Sequence, residues 1–331
     1  MPTLREVFDK DLTLSYMPAD PIRTTKFWTS GAFATDNRIS QLVAAGSQGF
    51  DVPYINELDA KPEPNYSNTI YTDIPVPRGI DAGKMSGLMA YLNEGFLEAR
   101  LTRYLTGVSP LSEIANQITG FWAQSAEYRA IATLTGIRNY DHANGKKITT
   151  EVATAFDVNL FIDAEMTMAD KYRGRGAIVM HPVKAADLRK AQLLIPFTDP
   201  NNLRTVDTFN GRTVIESYDG TVVGSGGSKR YITWLLNENA FAAESVAGYD
   251  DLEIDRSADR ANGGGTNVLW TRRNMLIHPM GFSFVADRSK LTGGTSNEAI
   301  SASWADLQKG GNWALTVADA EKVPFRIIAS T

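Results

Sequence analysis

The stretch "PLSEIANQITGFWAQSAEYRAIATLTG", residues 110–136, decides how the rest of the chain is read. Ser109 before it has an N-cap side chain, Pro110 suits the first helical position, and Glu113 falls in the first turn. Ile114, Ile118, Phe121, Trp122, Ser125, Tyr128, Ala132 and Thr135 then recur at spacings of three and four, the period of one helix face. The spacing predicts a helix over 110–135, about 39 Å long at 1.5 Å per residue, with Gly136 as its stop. Just before it, "EGFLEARLTRYLTG" (94–107) reads as a shorter helix ending at Gly107.

Upstream, "NTIYTDIPVP" (68–77) places Ile70, Thr72, Ile74 and Val76 at a period of two, the mark of a strand. "RGIDAGK" (78–84) supplies turn chemistry, and "MSGLMAYL" (85–92) reads as the returning strand. Pro62, Pro64, Pro75 and Pro77 cannot donate to a ladder, so this hairpin belongs at an edge or outside the main body. Residues 1–50, broken by Pro2, Pro18 and Pro21 and rich in small polar residues, read as an arm.

Downstream, elements mix. "AFDVNLFIDAEMTMADKY" (155–172) is helical, "AIVM" (177–180) is a buried strand, and "VKAADLRKAQLL" (183–194) is a helix after Pro182. "RTVIESYD" (212–219) and "RYITWLL" (230–236) are strands separated by the glycine-rich 222–230 loop. "DDLEIDRS" (250–257) and "TNVLWTRRNMLIH" (266–278) pair across "ADRANGGG" (258–265), followed by the strand "GFSFVAD" (281–287) and a polar tail. Helices and strands alternate without a βαβ rhythm, so the fold class is α+β.

Composition narrows the function. The chain has 331 residues, 43% of them hydrophobic, enough for a sizeable core. A net charge of −5 argues against a protein built to grip duplex nucleic acid. The absence of cysteine excludes disulfides, thiolate metal sites and a cysteine nucleophile. The opening "MPTLREVFDKDL" carries acidic residues and no apolar run, so it is not a signal peptide, and no stretch has the length of a membrane span.

Candidate chemistry is sparse. His181 and His278 each precede a proline, and the third histidine, His142, lies in a polar turn. Zinc needs three or four ligands, and no H-x-x-x-H spacing puts two imidazoles on one helix face. The 222–230 loop "VVGSGGSKR" lacks phosphate-loop spacing and leads into a strand rather than a helix. Asp157, Asp163, Glu165 and Asp170 surround one helix, read as solvated or paired to the neighbouring Lys171, Arg173 and Arg175, and "KYRGRG" (171–176) is diluted by these acids. No catalytic, cofactor-binding or metal residue is assigned. The alternative is a soluble nucleotide- or metal-dependent enzyme using the 222–230 loop with His181 and His278.

Several segments, in order, resemble the major capsid proteins of tailed bacteriophages, which share the HK97-like fold. They are "GSQGFDVPYINELD" (46–59), the 101–137 helical region, "FDVNLFIDAEMTMADKYRGRGAIVMHPVKAADLRKAQLL" (156–194), "NGRTVIESYDGT" (210–221) and "WTRRNMLIHPMGFSFV" (270–285). Segments 197–212 and the tail after Asp287 match nothing in the family. The resemblance implies an N-terminal arm (1–50), an E-loop hairpin (51–95), a peripheral domain (96–155 and 267–331) with its spine helix at 110–135, and an axial domain (156–266). It further implies self-assembly into hexamers and pentamers of an icosahedral shell around double-stranded DNA, itself held only non-specifically. A decoration or cement protein, a scaffold and a portal are the partners such shells use. It implies a place in the virion, after assembly in the bacterial host cytoplasm, and no membrane partner.

Overall fold

The structure, a computed structural model, describes residues 30–34, 49–55, 62–80, 82–106, 110–145, 147–198, 205–294, 301–317 and 319–331. Most of the arm expected over 1–50 lies outside them. In chain order the elements are β1 (Phe33–Ala34), β2 (Gly49–Ile55), β3 (Ala82–Leu88), β4 (Ala90–Ala99), α1 (Arg100–Thr106) and α2 (Pro110–Ala143). Then come β5 (Thr149–Glu151), α3 (Val158–Met166), β6 (Ala177–Met180), α4 (Pro182–Lys190), β7 (Ile195–Thr198), β8 (Thr205–Phe209) and β9 (Arg212–Glu216). The chain continues through β10 (Val222–Val223), β11 (Arg230–Leu236), β12 (Phe241–Ser257), β13 (Thr266–Pro279) and β14 (Phe282–Phe284). It closes with α5 (Trp304–Gln308), β15 (Trp313–Leu315) and β16 (Phe325–Ser330).

The long helix organises the molecule. Helix α2 does not stop at Gly136 but runs on to Ala143. The glycine serves close approach rather than capping: a Cβ there would lie 1.9 Å from the Leu307 carbonyl oxygen. The buried stripe is Ile118, Trp122, Ala126, Ala130, Leu134 and Ile137, rotated slightly from the expected face, with Phe121 left 37% exposed. Trp122 Nε1 donates to Thr271 Oγ1 at 3.0 Å, tying α2 to β13.

Two main sheets flank this helix. One has the order β1-β12-β13-β4, the other β5-β16-β11-β6-β9-β8-β7 with β10 beside β11. The second sheet is covered on both faces. Ala177 and Val179 of β6 join the α2 core, while Ile178 and Met180 join a second cluster with Phe161 of α3 and Leu188 of α4. That double burial is why "AIVM" is an unbroken apolar run. Aromatic side chains bridge the sheets, Phe325 stacking between Phe241 and Phe282 with ring centroids 6.0 Å apart on each side.

Two expectations about strand and core are corrected. Residues 94–99 are strand, not helix: Gly95 pairs with Trp270 and lies under its ring, where a Cβ would meet Trp270 Cζ3 at 2.6 Å. The polar tail is core at its far end, since β16 is buried throughout and sits between β5 and β11. Strand β12 pairs with β13 over most of its length, and β16 belongs to the sheet formed by residues 149–236.

Candidate functional site

Strands β2 and β3 pair in unbroken register from Gly49↔Leu88 to Ile55↔Ala82. Their root is anchored by the buried Phe50 and Met85, by the Tyr54 hydroxyl donating to the Thr316 carbonyl at 2.5 Å, and by Ser86 N–H donating to Ser283 Oγ at 3.0 Å. Gly87 is required there, because a Cβ would meet the Phe50 ring at 2.3 Å.

Beyond the root, residues 62–80 project as an excursion in which every residue is exposed. The turn lies at Ile70–Asp73, where Asp73 N–H donates to the Ile70 carbonyl at 3.1 Å, and not at 78–84 as expected. The 68–77 segment is not a strand. Its prolines remove ladder donors, so the legs are joined by side chains instead: Asn65 Nδ2 donates to the Val76 carbonyl at 3.0 Å, and the Arg78 guanidinium to the Glu63 carbonyl. Tyr66, Ile70, Tyr71, Ile74, Val76 and Ile80 are all more than half exposed, Tyr71 fully so. The proline-spaced apolar residues are the sequence signal; they alternate as a strand does, yet they form none and face solvent.

The two histidines lie apart, each among its own neighbours. His278 is buried at the end of β13, its Nε2 bonded to the Phe282 carbonyl at 2.8 Å and its ring meeting the Phe50 edge at 5.3 Å. That carbonyl accepts only, so Nε2 carries the proton, and burial pushes the imidazole pKa down to about 4. His181 caps α4, its Nδ1 accepting from Val183 N–H at 3.2 Å, and packs on Tyr218 and Tyr231. Burial first, then Lys229 and Lys184, lower its pKa. His142, expected in a turn, lies in the last turn of α2 beside Glu151 at 3.5 Å. Among the described residues no group of three or more His, Cys, Asp or Glu could hold a metal ion.

The 222–230 loop turns inward on itself, with Ser228 and Lys229 N–H donating to the Ser225 and Gly226 carbonyls. Of the carboxylates, Asp157 caps α3, Asp170 pairs with Arg173 at 2.6 Å, and Asp163 is exposed. Glu165 departs from expectation. It is buried and pairs not with a neighbour in sequence but with the fully buried Arg212 at 2.7 Å. Arg212 also donates to Asn237 Oδ1 and the Tyr172 carbonyl, and Glu165 accepts from Gly174 N–H. This network clamps α3 and the KYRGRG turn to the sheet.

No protein-family model and no curated protein matches the sequence. Solved structures do match. The head of Helicobacter pylori bacteriophage KHP40 aligns at 10% identity with a TM-score of 0.53, covering 90% of this chain and 86% of that one. The acid-stable capsid of Helicobacter pylori bacteriophage KHP30 aligns at 10% identity and TM-score 0.55, covering 95% and 92%. The capsid of Ralstonia phage GP4 aligns at 9% identity and TM-score 0.55, covering 79% and 88%. The chain has the HK97-like capsid fold.

Within that α+β capsid fold, the uncovered excursion and the sheet formed by β12, β13 and β4 extend from the α2 core. Among the described residues no helix is long and apolar enough to cross a membrane.

Proposed function

We propose that this chain is the major capsid protein of a tailed bacteriophage, self-assembling into the icosahedral shell that encloses a double-stranded DNA genome. The observation that carries the reading is the 62–80 excursion. It holds six large apolar side chains in water on a body with the capsid fold. Large apolar side chains gathered in water on one projecting segment mark a surface for a partner. In this reading the β2–β3 ribbon with 62–80 is the E-loop, α2 is the spine helix, residues 149–236 with 325–330 form the axial body, and residues 1–50 act as the arm. The excursion lies across a neighbouring copy, and many modest contacts add up as hexamers and pentamers close. The mild negative charge suits a container through which DNA must move freely. Decoration protein, scaffold and portal would join it in the host cytoplasm, and the finished shell is its place in the virion.

The enzyme alternative draws no support from this geometry, because His181 and His278 face separate neighbours and the 222–230 loop bonds to itself. The test is sedimentation and electron microscopy of the purified chain. Shells or discrete capsomers are expected, and a small oligomer at every concentration would overturn the proposal.

A further inference from the structure

The far end of the β12–β13–β4 sheet carries opposite charges on its two edges. On the β4 side, α1 folds over the 263–265 turn: Arg100 N–H donates to the Gly265 carbonyl at 3.1 Å, and Gly263 lies against Leu101. Between them is a cleft of about 640 Å³ lined by Arg100, Leu101, Arg103, Tyr104, Gly263 and Gly264. Arg100, Arg103 and Tyr104 are exposed, and among the described residues no hydrogen bond or salt bridge ties either guanidinium down. Glu98, whose carboxylate feels both arginines, is 3% exposed with neither oxygen hydrogen-bonded. Burial raises its pKa against the pull of Arg103 and Arg100.

The opposite edge is mainly acidic, with Arg256 the one exposed cation in residues 250–257. Asp250, Asp251, Glu253 and Asp255 stand exposed along β12, with Asp250 at φ 47° in the irregularity between Ala247 and Leu252. Arg272 engages Glu253 at 2.8 Å, which leaves Asp251 and Asp255 for other partners. Beside them Leu252 and Ile254 are 54% and 67% exposed. Among the described strands only β1 pairs with the outer side of β12, and only at Phe241 and Ala242.

We propose that the acidic β12 edge of one copy of this chain docks into the Arg100–Arg103 cleft of the next. Charge complementarity selects the occupant. Two acidic edges repel, as do two arginine clefts, so the favoured contact is edge to cleft; because edge and cleft lie on opposite sides of the sheet, each copy offers them to two different neighbours and the contact runs head to tail. Leu252 and Ile254 then gain cover alongside the ion pairs. The inference rests on the capsid reading only in supposing that copies associate.

The chain contains no cysteine, so disulfide trapping has no background. The single variants R103C and D255C and the double variant R103C/D255C are oxidised as full-length protein and run on non-reducing gels. A head-to-tail contact makes the double variant form a ladder of multimers that neither single variant forms. The yield of that ladder falls severalfold between about 0.1 M and about 1 M salt, as the screening length shrinks from about 10 Å to about 3 Å. Shells from the parent chain with no ladder from the double variant would overturn this contact and leave the capsid reading standing. A ladder without shells would do the reverse, and neither ladder nor shells would remove both. Circular dichroism of each variant establishes that it is folded before the gel is read.

Discussion

Gly136 of α2 lies directly against the backbone of Leu307 in α5, so near that a Cβ would sit 1.9 Å from the Leu307 carbonyl oxygen. Trp313 Nε1 donates to that same carbonyl at 2.8 Å, and Asn139 Nδ2 reaches Gln308 O at 2.9 Å. The contact fixes the segment after residue 301 to the C-terminal third of the long helix.

Gly136→Ala therefore destabilises the chain, although alanine gains about 1 kcal/mol of helix propensity over glycine. Overpacking against backbone costs about 1–3 kcal/mol or more and outweighs that gain. Urea unfolding followed by circular dichroism should show a lower midpoint; an unchanged or higher midpoint would refute the contact.

Replacing Ile70, Tyr71, Ile74 and Val76 with serine should leave subunit stability within about 0.5 kcal/mol, as expected for exposed positions. Assembly should fall sharply in sedimentation. Normal shells from this variant would end the assignment of the 62–80 excursion to inter-subunit contact.

His278 makes stability depend on acid. Its folded pKa is about 4, below the ordinary histidine value of 6.5, so the unfolded chain takes up the proton first. The stabilisation is fully present above pH 6.5 and is lost as pH falls toward 4, amounting to roughly 3 kcal/mol at the low end. His278→Gln should flatten the stability profile across this window while lowering stability at pH 7. A profile unchanged in shape would count against a buried neutral imidazole.

The Glu165–Arg212 pair should behave as a unit. Glu165→Ala strands a buried guanidinium and should cost about 3–5 kcal/mol, whereas Glu165→Gln with Arg212→Met should lose less than Glu165→Ala. Thermal unfolding of these two variants reads the difference directly. A double variant as unstable as Glu165→Ala would argue that Arg212 is held by Asn237 and Tyr172 rather than by the carboxylate.

Elements whose burial follows one period were legible in the residues. Helix α2, the all-buried β6 and the β12–β13 hairpin with its GGG turn were each placed from local pattern. What misled was a residue doing a non-local task. Gly136 reads as a helix stop, yet it is a point of contact with a segment 171 residues on, at Leu307. Gly95 lies in a helix-like string because its role, lying under Trp270, is set by another strand. Strand β16 was missed because "PFRIIAS" follows a polar stretch and its partners, β5 and β11, are remote. The excursion's Ile70, Ile74 and Val76 alternate like a half-buried strand, and sequence cannot distinguish a face covered by its own chain from one awaiting another. Glu165 and Arg212, 47 residues apart, showed no signal beyond two ordinary charges.

The placement of β16 also sets a timetable. Ribbon β2–β3 joins segments close in the chain and can form early, whereas the second sheet closes only when Ile327 meets Thr149 and Tyr231 meets Ser330. Non-local pairings of this kind are slow, because loop closure comes before any reward. The expectation is that the ribbon pairs before the body that anchors its root, and during that interval the chain must reach its own final strand sooner than it meets another unfinished copy.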